Sequence, residues 1–224
     1  MVLAFLRMDL NQLKVTLAQH GMITRGGFHP GDQDDAPSDT RTILMIGNAG
    51  KEFWRIFAQQ NQGGANALDT WTRQVLTPVA AAYDARVLFP FDGPPYFPFQ
   101  QWAIRADNVF PSPIGPLIHP EFGLWHAYRA AFLFTDEIEI PDNSRTSSPC
   151  NSCSDKPCLN TCPVDAFTPG NYDVPECRTF ISTPDGDDCL KSGCRARRAC
   201  PVGRDYIYEP EQAEFHMQSF LKTD

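Results

Sequence analysis

Hydrophobic positions over the first 145 residues switch repeatedly between helical and extended spacing. Leucines recur every three or four positions from Leu3 to Leu17, which predicts one stripe of an amphipathic helix that ends at Gly21. Residues 42–47 form an apolar run of strand length, and residues 52–60 return to helical spacing. We therefore predict a mixed sheet with helices.

A third helix and a second strand follow along the chain. Asp69 stands where it can cap a helix that runs toward Tyr83, and Pro78 is expected to bend or restart that helix. Residues 86–89 predict another strand, and the polar stretch 31–38 predicts a loop.

Between Pro90 and Pro120, prolines are interspersed with aromatic side chains. Proline fixes φ and therefore stiffens a loop that belongs to no helix or strand. Such a loop can wall a pocket for a large flat ligand, or it can simply cover the sheet. Both interpretations stay open on composition alone.

The segment from Gly47 to Lys51 lies between a predicted strand and a predicted helix, as a phosphate-binding loop would. Its two glycines are too close together for that motif, and Glu52 replaces the hydroxyl residue that would bind magnesium. We predict only a tight turn here.

Composition limits the class of protein. The chain has 224 residues, of which 42% are apolar, so it can build one medium domain and a small second one. No run of 18 apolar residues occurs, so we expect no membrane span. The apolar run at residues 2–6 is too short for a signal-peptide core, so we expect the cytoplasm. The net charge of −8 repels phosphate backbones, and we expect no nucleic-acid partner.

Eight cysteines follow this region, and two of them directly precede proline. Their order is Cys150-x2-Cys153-x4-Cys158-x3-Cys162-Pro163, then Cys177, then Cys189-x4-Cys194-x5-Cys200-Pro201. Eight thiolates are enough for two four-iron clusters, and bacterial-type ferredoxins close a cysteine run with Cys-Pro. Structural zinc and disulfides are the alternatives, but zinc modules usually show paired knuckles without Cys-Pro, and a reducing compartment disfavours disulfides.

In bacterial-type ferredoxins the Cys-Pro thiolate binds the other cluster. Crossed ligation of this kind predicts one cluster on Cys150, Cys153, Cys158 and Cys200, and a second on Cys162, Cys177, Cys189 and Cys194. Cations among these cysteines could offset the thiolate charge, or they could be ordinary surface charge. They are Lys156, Lys191, Arg195, Arg197 and Arg198.

The stretch Ile118-His119-Pro120-Glu121-Phe122-Gly123-Leu124-Trp125, with Arg129, the apolar run 130–134 and Ile140-Pro141-Asp142 after it, closely resembles the signature of CblC-type cobalamin-processing proteins. The resemblance implies a fold related to flavin-dependent nitroreductases and a corrinoid whose base is detached from cobalt. It also implies that five residues line or shape the corrinoid pocket: Gly115, His119, Gly123, Trp125 and Arg129. Considered alone, His119 is more often a structural loop histidine than a ligand.

The Cys-Pro segment followed by Cys177-Arg178-x-Phe180-Ile181-Ser182 resembles the epoxyqueuosine reductases, which join a related cobalamin domain to a two-cluster module. The chain lacks the helical repeat that grips transfer RNA in that family, so we expect another substrate. The predicted fold class is α+β. A nitroreductase-like cobalamin-binding domain occupies residues 1–145, a linker falls at residues 143–149, a ferredoxin-like domain with two 4Fe-4S clusters spans residues 146–208, and a tail follows at residues 209–224.

The leading functional hypothesis is a cytoplasmic reductase that processes a corrinoid. Electrons from a ferredoxin or flavodoxin would pass through both clusters to a base-off cobalamin and remove its upper ligand. Two alternatives remain: a cobalamin-dependent reductase of an organic substrate, as in epoxyqueuosine reductases and reductive dehalogenases, and a ferredoxin-type electron carrier without cobalamin.

Overall fold

The computed structural model describes residues 9–141, 145–168 and 170–222, which form an α+β fold. The helices, in chain order, are α1 Leu10–Ala18, α2 Glu52–Gln60, α3 Ala67–Ala82, α4 Phe99–Ala106, α5 Pro157–Asn160, α6 Val174–Ile181, α7 Asp187–Ser192, α8 Arg195–Arg198 and α9 Pro210–Lys222. The strands are β1 Ile23–Phe28, β2 Thr42–Ala49, β3 Arg86–Leu88, β4 Phe110–Pro111, β5 Leu117–Ile118, β6 His126–Phe134, β7 Phe167–Thr168 and β8 Asn171–Tyr172.

The chain divides into two compact units. The first unit takes in Met1–Asn48, Glu52–Asp107 and Ala127–Ser144, and the second takes in Ala49–Lys51, Asn108–His126 and Arg145–Asp224. Residues 108–126 therefore belong to the unit that carries the cysteines, although they fall within the predicted cobalamin-binding domain. The division into domains at residues 1–145, 146–208 and 209–224 stays a prediction.

A four-stranded sheet in the order β1-β2-β6-β3 forms the centre of the first unit. β1 pairs antiparallel with β2, and β3 pairs antiparallel with β6. Ile43 and Met45 on β2 are fully buried with Trp102 of α4 and Ala131 of β6. The apolar run of β2 thus becomes a strand because it is buried almost along its whole length.

The predicted strand at residues 42–47 and the predicted helix at residues 52–60 are confirmed as β2 and α2. The first helix is confirmed from Leu10 to Ala18, while the part of its leucine stripe before residue 9 lies outside the described residues. Asp9 caps it, because its carboxylate accepts hydrogen bonds from the backbone N–H groups of Asn11 and Gln12. Gly21 follows the helix with a φ of +65°.

Two local predictions need correction. Asp69 does not cap α3; it lies in the first turn, and Asn66 occupies the capping position in a left-handed conformation without a side-chain cap. The helix also continues through Pro78 to Ala82 without a restart. The strand predicted at residues 86–89 is confirmed as β3, one residue shorter.

The second unit consists of short helices and two β-hairpins, β4–β5 and β7–β8. The described part of the predicted tail is helix α9, and its residues Met217, Phe220 and Leu221 pack against the core formed by Cys177, Ile181 and Cys189. This packing makes α9 part of the cysteine-bearing unit. No helix in the described residues is long and apolar enough to span a membrane.

Candidate metal centre

A first group of cysteines lines a small cavity in the second unit: Cys150, Cys153, Cys158 and Cys200. A 3-10 turn, Pro149–Asn151, presents Cys150, and Ser148 Oγ accepts from the Cys150 backbone N–H at 3.3 Å. Lys156 adopts a left-handed backbone conformation before α5, and Pro157 then starts the helix that carries Cys158. The left-handed residue therefore reverses the chain so that thiols on both sides of it face the same cavity.

The thiols of this first group also lie close enough to interact electrostatically. Burial raises the pKa of Cys158, and the charges of Cys200, Cys150 and Cys153 raise it further. The pKa of Cys200 is raised in the same way, by burial first and then by Cys150 and Cys153. Four thiols that oppose each other's ionisation are suited to a cationic centre that would hold them as thiolates.

A second group is formed by Cys162, Cys177, Cys189 and Cys194. Burial raises the pKa of Cys177, and Cys162 and Cys189 raise it further. Burial also raises the pKa of Cys194 to about 11, with further contributions from Cys189 and Cys177. Helix α6 carries Cys177 and helix α7 carries Cys189, so the group is assembled from separate elements.

Backbone groups beside the sulfur atoms of both groups favour negative charge there. The Ala166 N–H donates to Cys162 Sγ over 3.4 Å. The backbone of Arg197 and of Ala196 lowers the pKa of Cys194, and the backbone of Val202 lowers the pKa of Cys200, against the larger effect of burial. Such donors stabilise negative charge on sulfur and are one of the means by which a protein tunes an iron–sulfur centre.

All eight cysteines are free thiols. The ligand partition between two clusters and the binding of iron by these cysteines stay predictions. In the described part of the chain, no three His, Cys, Asp or Glu side chains converge closely enough to hold one metal ion. A four-iron cluster has a different requirement, because each of its thiolates binds a different iron. The donor set fits such a cluster, since soft thiolates suit iron–sulfur centres.

The cations among the cysteines are engaged by groups other than the thiolates. Asp188 forms ion pairs with both Arg195 and Arg198, and Lys191 pairs with Asp187. Lys156 Nζ donates to the Cys150 carbonyl at 3.2 Å. These contacts favour the interpretation that the cations support local structure.

Arg197 has a separate role in the packing of the second unit. Its Nε donates to the Leu124 carbonyl at 3.1 Å, and its guanidinium lies 4.6 Å from the ring centre of Trp125 and 4.7 Å from that of Tyr208. Trp125 is buried and meets Tyr208 edge to face. Trp125, one of the residues predicted to line a corrinoid pocket, is therefore part of a local core.

His119 and Gly123 shape one turn. His119 Nδ1 accepts hydrogen bonds from the backbone N–H groups of Glu121 and Phe122, at 3.0 and 3.2 Å. The His119 ring stacks on Phe122, with ring centres 4.3 Å apart. Gly123 has a φ of +58°, and a Cβ added there would lie 2.1 Å from the Val202 carbonyl oxygen. Both residues thus hold the loop against the segment that follows Cys200.

Arg129 and Gly115 complete the predicted corrinoid set. In the first unit, Arg129 Nε donates to Asn48 Oδ1 at 2.8 Å, and its guanidinium lies 4.5 Å from the ring centre of Phe53. Gly115, in the second unit, has open space where a Cβ would be added. None of the five residues lines the cavity of the first cysteine group or the larger cavity, about 1360 Å³, in the first unit. The corrinoid pocket stays a prediction from resemblance.

One residue beside the second group was not identified from the sequence. Tyr172 lies beside Cys177, and the pKa of the Tyr172 hydroxyl is raised first by burial and then by Cys177. Its ring is stacked on Phe167 and Phe220. The only sequence signal is an aromatic residue five positions before Cys177, which is too weak to identify the contact because Phe220 lies far along the chain.

Comparisons with known proteins place this geometry in a wider context. No protein-family model matches the chain, and no curated protein matches it. Solved structures of epoxyqueuosine reductases do match. One, solved with an epoxyqueuosine-modified tRNA-Tyr stem loop, is 18% identical, with 92% of this chain and 71% of that chain covered and a TM-score of 0.51.

Two further structures agree. Epoxyqueuosine reductase from Bacillus subtilis is 16% identical, with 92% of this chain and 71% of that chain covered and a TM-score of 0.51. The protein from Streptococcus thermophilus is 16% identical, with 92% and 70% covered and a TM-score of 0.53. At these identities the similarity shows a shared fold. It supports the epoxyqueuosine-reductase part of the sequence resemblance and gives no support to the CblC-type part.

The comparisons also correct one prediction. The net charge of −8 leads to the expectation that the protein has no nucleic-acid partner. That expectation is wrong, because a protein of the same fold is solved with a tRNA stem loop. Net charge averages over the whole surface, whereas a nucleic-acid interface depends on the charges at the contact itself.

Proposed function

We propose that this chain is an iron–sulfur reductase of the epoxyqueuosine-reductase type, in which each cysteine group holds one four-iron cluster. The observation that carries the proposal is the convergence of each group from separated segments: Cys200 joins the thiols of residues 150–158 at one cavity, and Cys162 joins Cys177 and Cys189. Crossed segments of this kind are typical of two-cluster ferredoxin modules.

The residues of the chain provide three things for such clusters. The thiolates would bind iron, the Ala166 N–H donates to Cys162 Sγ, and the backbone of Val202 and Ala196 lowers the pKa of Cys200 and Cys194. Buried apolar side chains beside the cysteines keep water away: Ile114, Ile118, Leu124 and Phe167. When bound, the clusters supply one-electron transfer.

We propose a modified nucleoside within RNA as the substrate class. The support is the shared fold with epoxyqueuosine reductases, one of which is solved with a modified tRNA stem loop. This substrate class replaces the corrinoid-processing activity as the leading hypothesis. It corresponds to the alternative of a cobalamin-dependent reductase of an organic substrate, of the epoxyqueuosine-reductase type.

A corrinoid acceptor enters this proposal only through the sequence resemblance. His119, Gly123 and Trp125 make contacts within the second unit that account for their positions without a ligand. The corrinoid pocket stays a prediction from resemblance, and we derive no step through that group.

The test begins with anaerobic reconstitution of the full chain, followed by iron and sulfide analysis. We expect roughly eight irons per chain for two four-iron clusters. Cys158→Ser and Cys189→Ser should each lose one cluster, while Ser152→Ala, an exposed change within the first cysteine segment, should lose none. Single-turnover reduction of an epoxyqueuosine-containing stem loop, with a reduced viologen as donor, then tests the substrate.

Two results would contradict the proposal. If the protein binds zinc or forms disulfides instead of binding iron, the proposal of two four-iron clusters is wrong. If it holds its full iron in reducible clusters but leaves the stem loop unchanged, the proposed substrate is wrong and the chain is an electron carrier.

A further inference from the structure

We propose that Tyr96 is an RNA-contacting residue whose ring stacks on an unpaired base of the substrate. This inference rests on the proposed function, because it requires that the substrate nucleoside lies within RNA. It assigns a role to the segment of prolines and aromatic side chains that begins at Pro90, which the two cysteine groups leave unexplained.

Tyr96 differs in its exposure from the aromatic residues that follow it. In the described residues, two large apolar side chains are strongly exposed, Tyr96 at 65% and Val15 at 57%. Phe99 and Trp102, by contrast, are buried in the core of the first unit. Exposure of a single apolar side chain is common, so the way in which the ring is held matters more.

The Tyr96 ring lies against the backbone of Gly93. A Cβ added to Gly93 would be 2.7 Å from Tyr96 Cδ1 and 2.9 Å from Tyr96 Cγ. The absence of a side chain at residue 93 therefore lets the ring pack directly on the main chain. The ring is covered there, while much of the rest of the residue faces solvent. A ring held in this way can receive a second planar group on its open side.

The turn before Tyr96 is fixed by several contacts. The Asp92 N–H donates to the Phe89 carbonyl at 3.0 Å, and the Phe89 N–H donates to the Asp92 carboxylate at 2.9 Å. Asp92 also forms an ion pair with Arg73 of α3. The Arg73 guanidinium lies 4.5 Å from the ring centre of Phe89 and 5.0 Å from that of Phe91. These contacts attach the turn to α3.

The chain after Tyr96 is anchored in the core of the first unit. Phe97 packs against that core, and its ring centre is 5.6 Å from that of Trp102. Prolines restrict φ on both sides of the tyrosine, at positions 94, 95 and 98. Because the segment is held in place before any ligand binds, less conformational entropy is lost when the ring makes a contact.

The charge of the chain favours a base over a phosphate as the group that Tyr96 contacts. A net charge of −8 gives the chain as a whole no long-range attraction to phosphates, so contacts that do not depend on opposite charge carry a larger share of the affinity. Stacking of a base on an aromatic ring is such a contact. Bases in a loop are free to stack on a protein, whereas bases in a duplex stack on one another.

The experiment measures the Kd of the iron-reconstituted full chain for a fluorescein-labelled RNA stem loop that contains epoxyqueuosine, by anaerobic fluorescence anisotropy. Tyr96→Ala should raise Kd about tenfold, the size of effect expected from the loss of one base–aromatic stack. Tyr96→Phe keeps the ring and should bind like the wild type. Tyr96→Leu keeps apolar area without an aromatic face, so it should bind nearly as weakly as Tyr96→Ala.

Val15→Ala is the matched control, because Val15 is the other strongly exposed apolar side chain of the described residues. Its Kd should equal that of the wild type, and iron content should be the same in all variants. The slope of log Kd against log salt concentration should be unchanged in Tyr96→Ala, since no contact between a cation and a phosphate is lost. A duplex of the same stem without its loop should bind the wild type and Tyr96→Ala equally.

The outcomes separate this inference from the proposed function. If the wild type binds the stem loop and Tyr96→Ala binds it equally well, the role of Tyr96 is overturned and the RNA substrate stands. Wild-type affinity in Tyr96→Leu would also overturn it, because apolar burial and not stacking would then account for the contact. A wild type that binds no RNA overturns the proposed substrate and the role of Tyr96 together, and leaves the exposed ring to a protein partner.

Discussion

Replacement of Gly123 by alanine should damage the first cysteine group, although Gly123 is not a ligand. The added Cβ would lie 2.1 Å from the Val202 carbonyl oxygen and 2.7 Å from the Val202 carbonyl carbon. Both atoms are backbone, two residues after Cys200, so the clash cannot be relieved by rotation of a side chain. The Cys-Pro segment must therefore shift, which takes Cys200 away from Cys150, Cys153 and Cys158.

The magnitude has two parts. Alanine at a φ of +58° costs about 1–2 kcal/mol because the left-handed conformation crowds a Cβ. Overpacking adds about 1–3 kcal/mol. The total of about 2–5 kcal/mol is a large part of the about 5–15 kcal/mol by which a domain is usually stable.

Gly115→Ala is the matched control for this change. Gly115 also has a positive φ, +100°, but an added Cβ meets nothing within 4 Å. The Gly115→Ala variant therefore has the backbone strain of an alanine at positive φ but no steric clash of its Cβ. Iron content after reconstitution and the midpoint of unfolding in urea should both fall in Gly123→Ala and change far less in Gly115→Ala. Equal iron content and equal unfolding midpoints in the two variants would refute the reasoning.

Three other predictions address different parts of the molecule. Arg197→Met should lower stability by about 2–4 kcal/mol in thermal melts, because it leaves the buried Leu124 carbonyl without its charged donor and removes the cation above Trp125; an unchanged Tm would contradict this. Asp69→Asn should raise the free energy of unfolding, measured in urea, at pH 7 but not at pH 3. An equal effect at both pH values would contradict this prediction. The sign follows because burial raises the pKa of Asp69 in the folded protein, although Arg129 and Arg73 lower it. The stabilisation by the protonated carboxyl group is therefore fully present below the pKa of Asp69 in the unfolded chain. It is lost as the pH rises through the pKa of Asp69 in the folded protein. The corrinoid pocket predicted from the resemblance implies that hydroxocobalamin titrated into the reconstituted protein gives a base-off absorption spectrum that Arg129→Ala weakens, and a spectrum without change would refute that prediction.

Local elements with strong hydrophobic periodicity could be predicted from the sequence. β2 and α2 appear where their patterns indicate, because a buried strand and an amphipathic helix each depend on residues that are close together in the chain. Asp69 was misassigned as a cap because α3 begins earlier, at a left-handed Asn66 that no periodicity reveals. Helix boundaries depend on single backbone conformations, which a hydrophobic pattern does not specify.

In the candidate site, too, some features could be predicted from the sequence and others could not. The two cysteine groups could be inferred because the Cys-Pro motif constrains how the chain crosses between two centres. The role of His119 could not be inferred with equal confidence, since a loop histidine and a ligand histidine look alike in a sequence. Its Nδ1 in fact binds two backbone N–H groups of its own turn, which is the structural role expected of an isolated loop histidine.

The resemblance of residues 118–125 to a corrinoid signature has a physical explanation that does not require a corrinoid. Leu124 is buried in the same core as Cys200, Gly123 allows the chain to approach Val202, and Trp125 packs under Tyr208 and Arg197. The spacing Gly-Leu-Trp is therefore constrained by the cysteine-bearing unit itself. If a substitution in residues 118–125 abolishes corrinoid binding, iron content must be measured in the same sample. Loss of the first cluster predicts the same loss of binding, so the binding result alone proves nothing about a pocket.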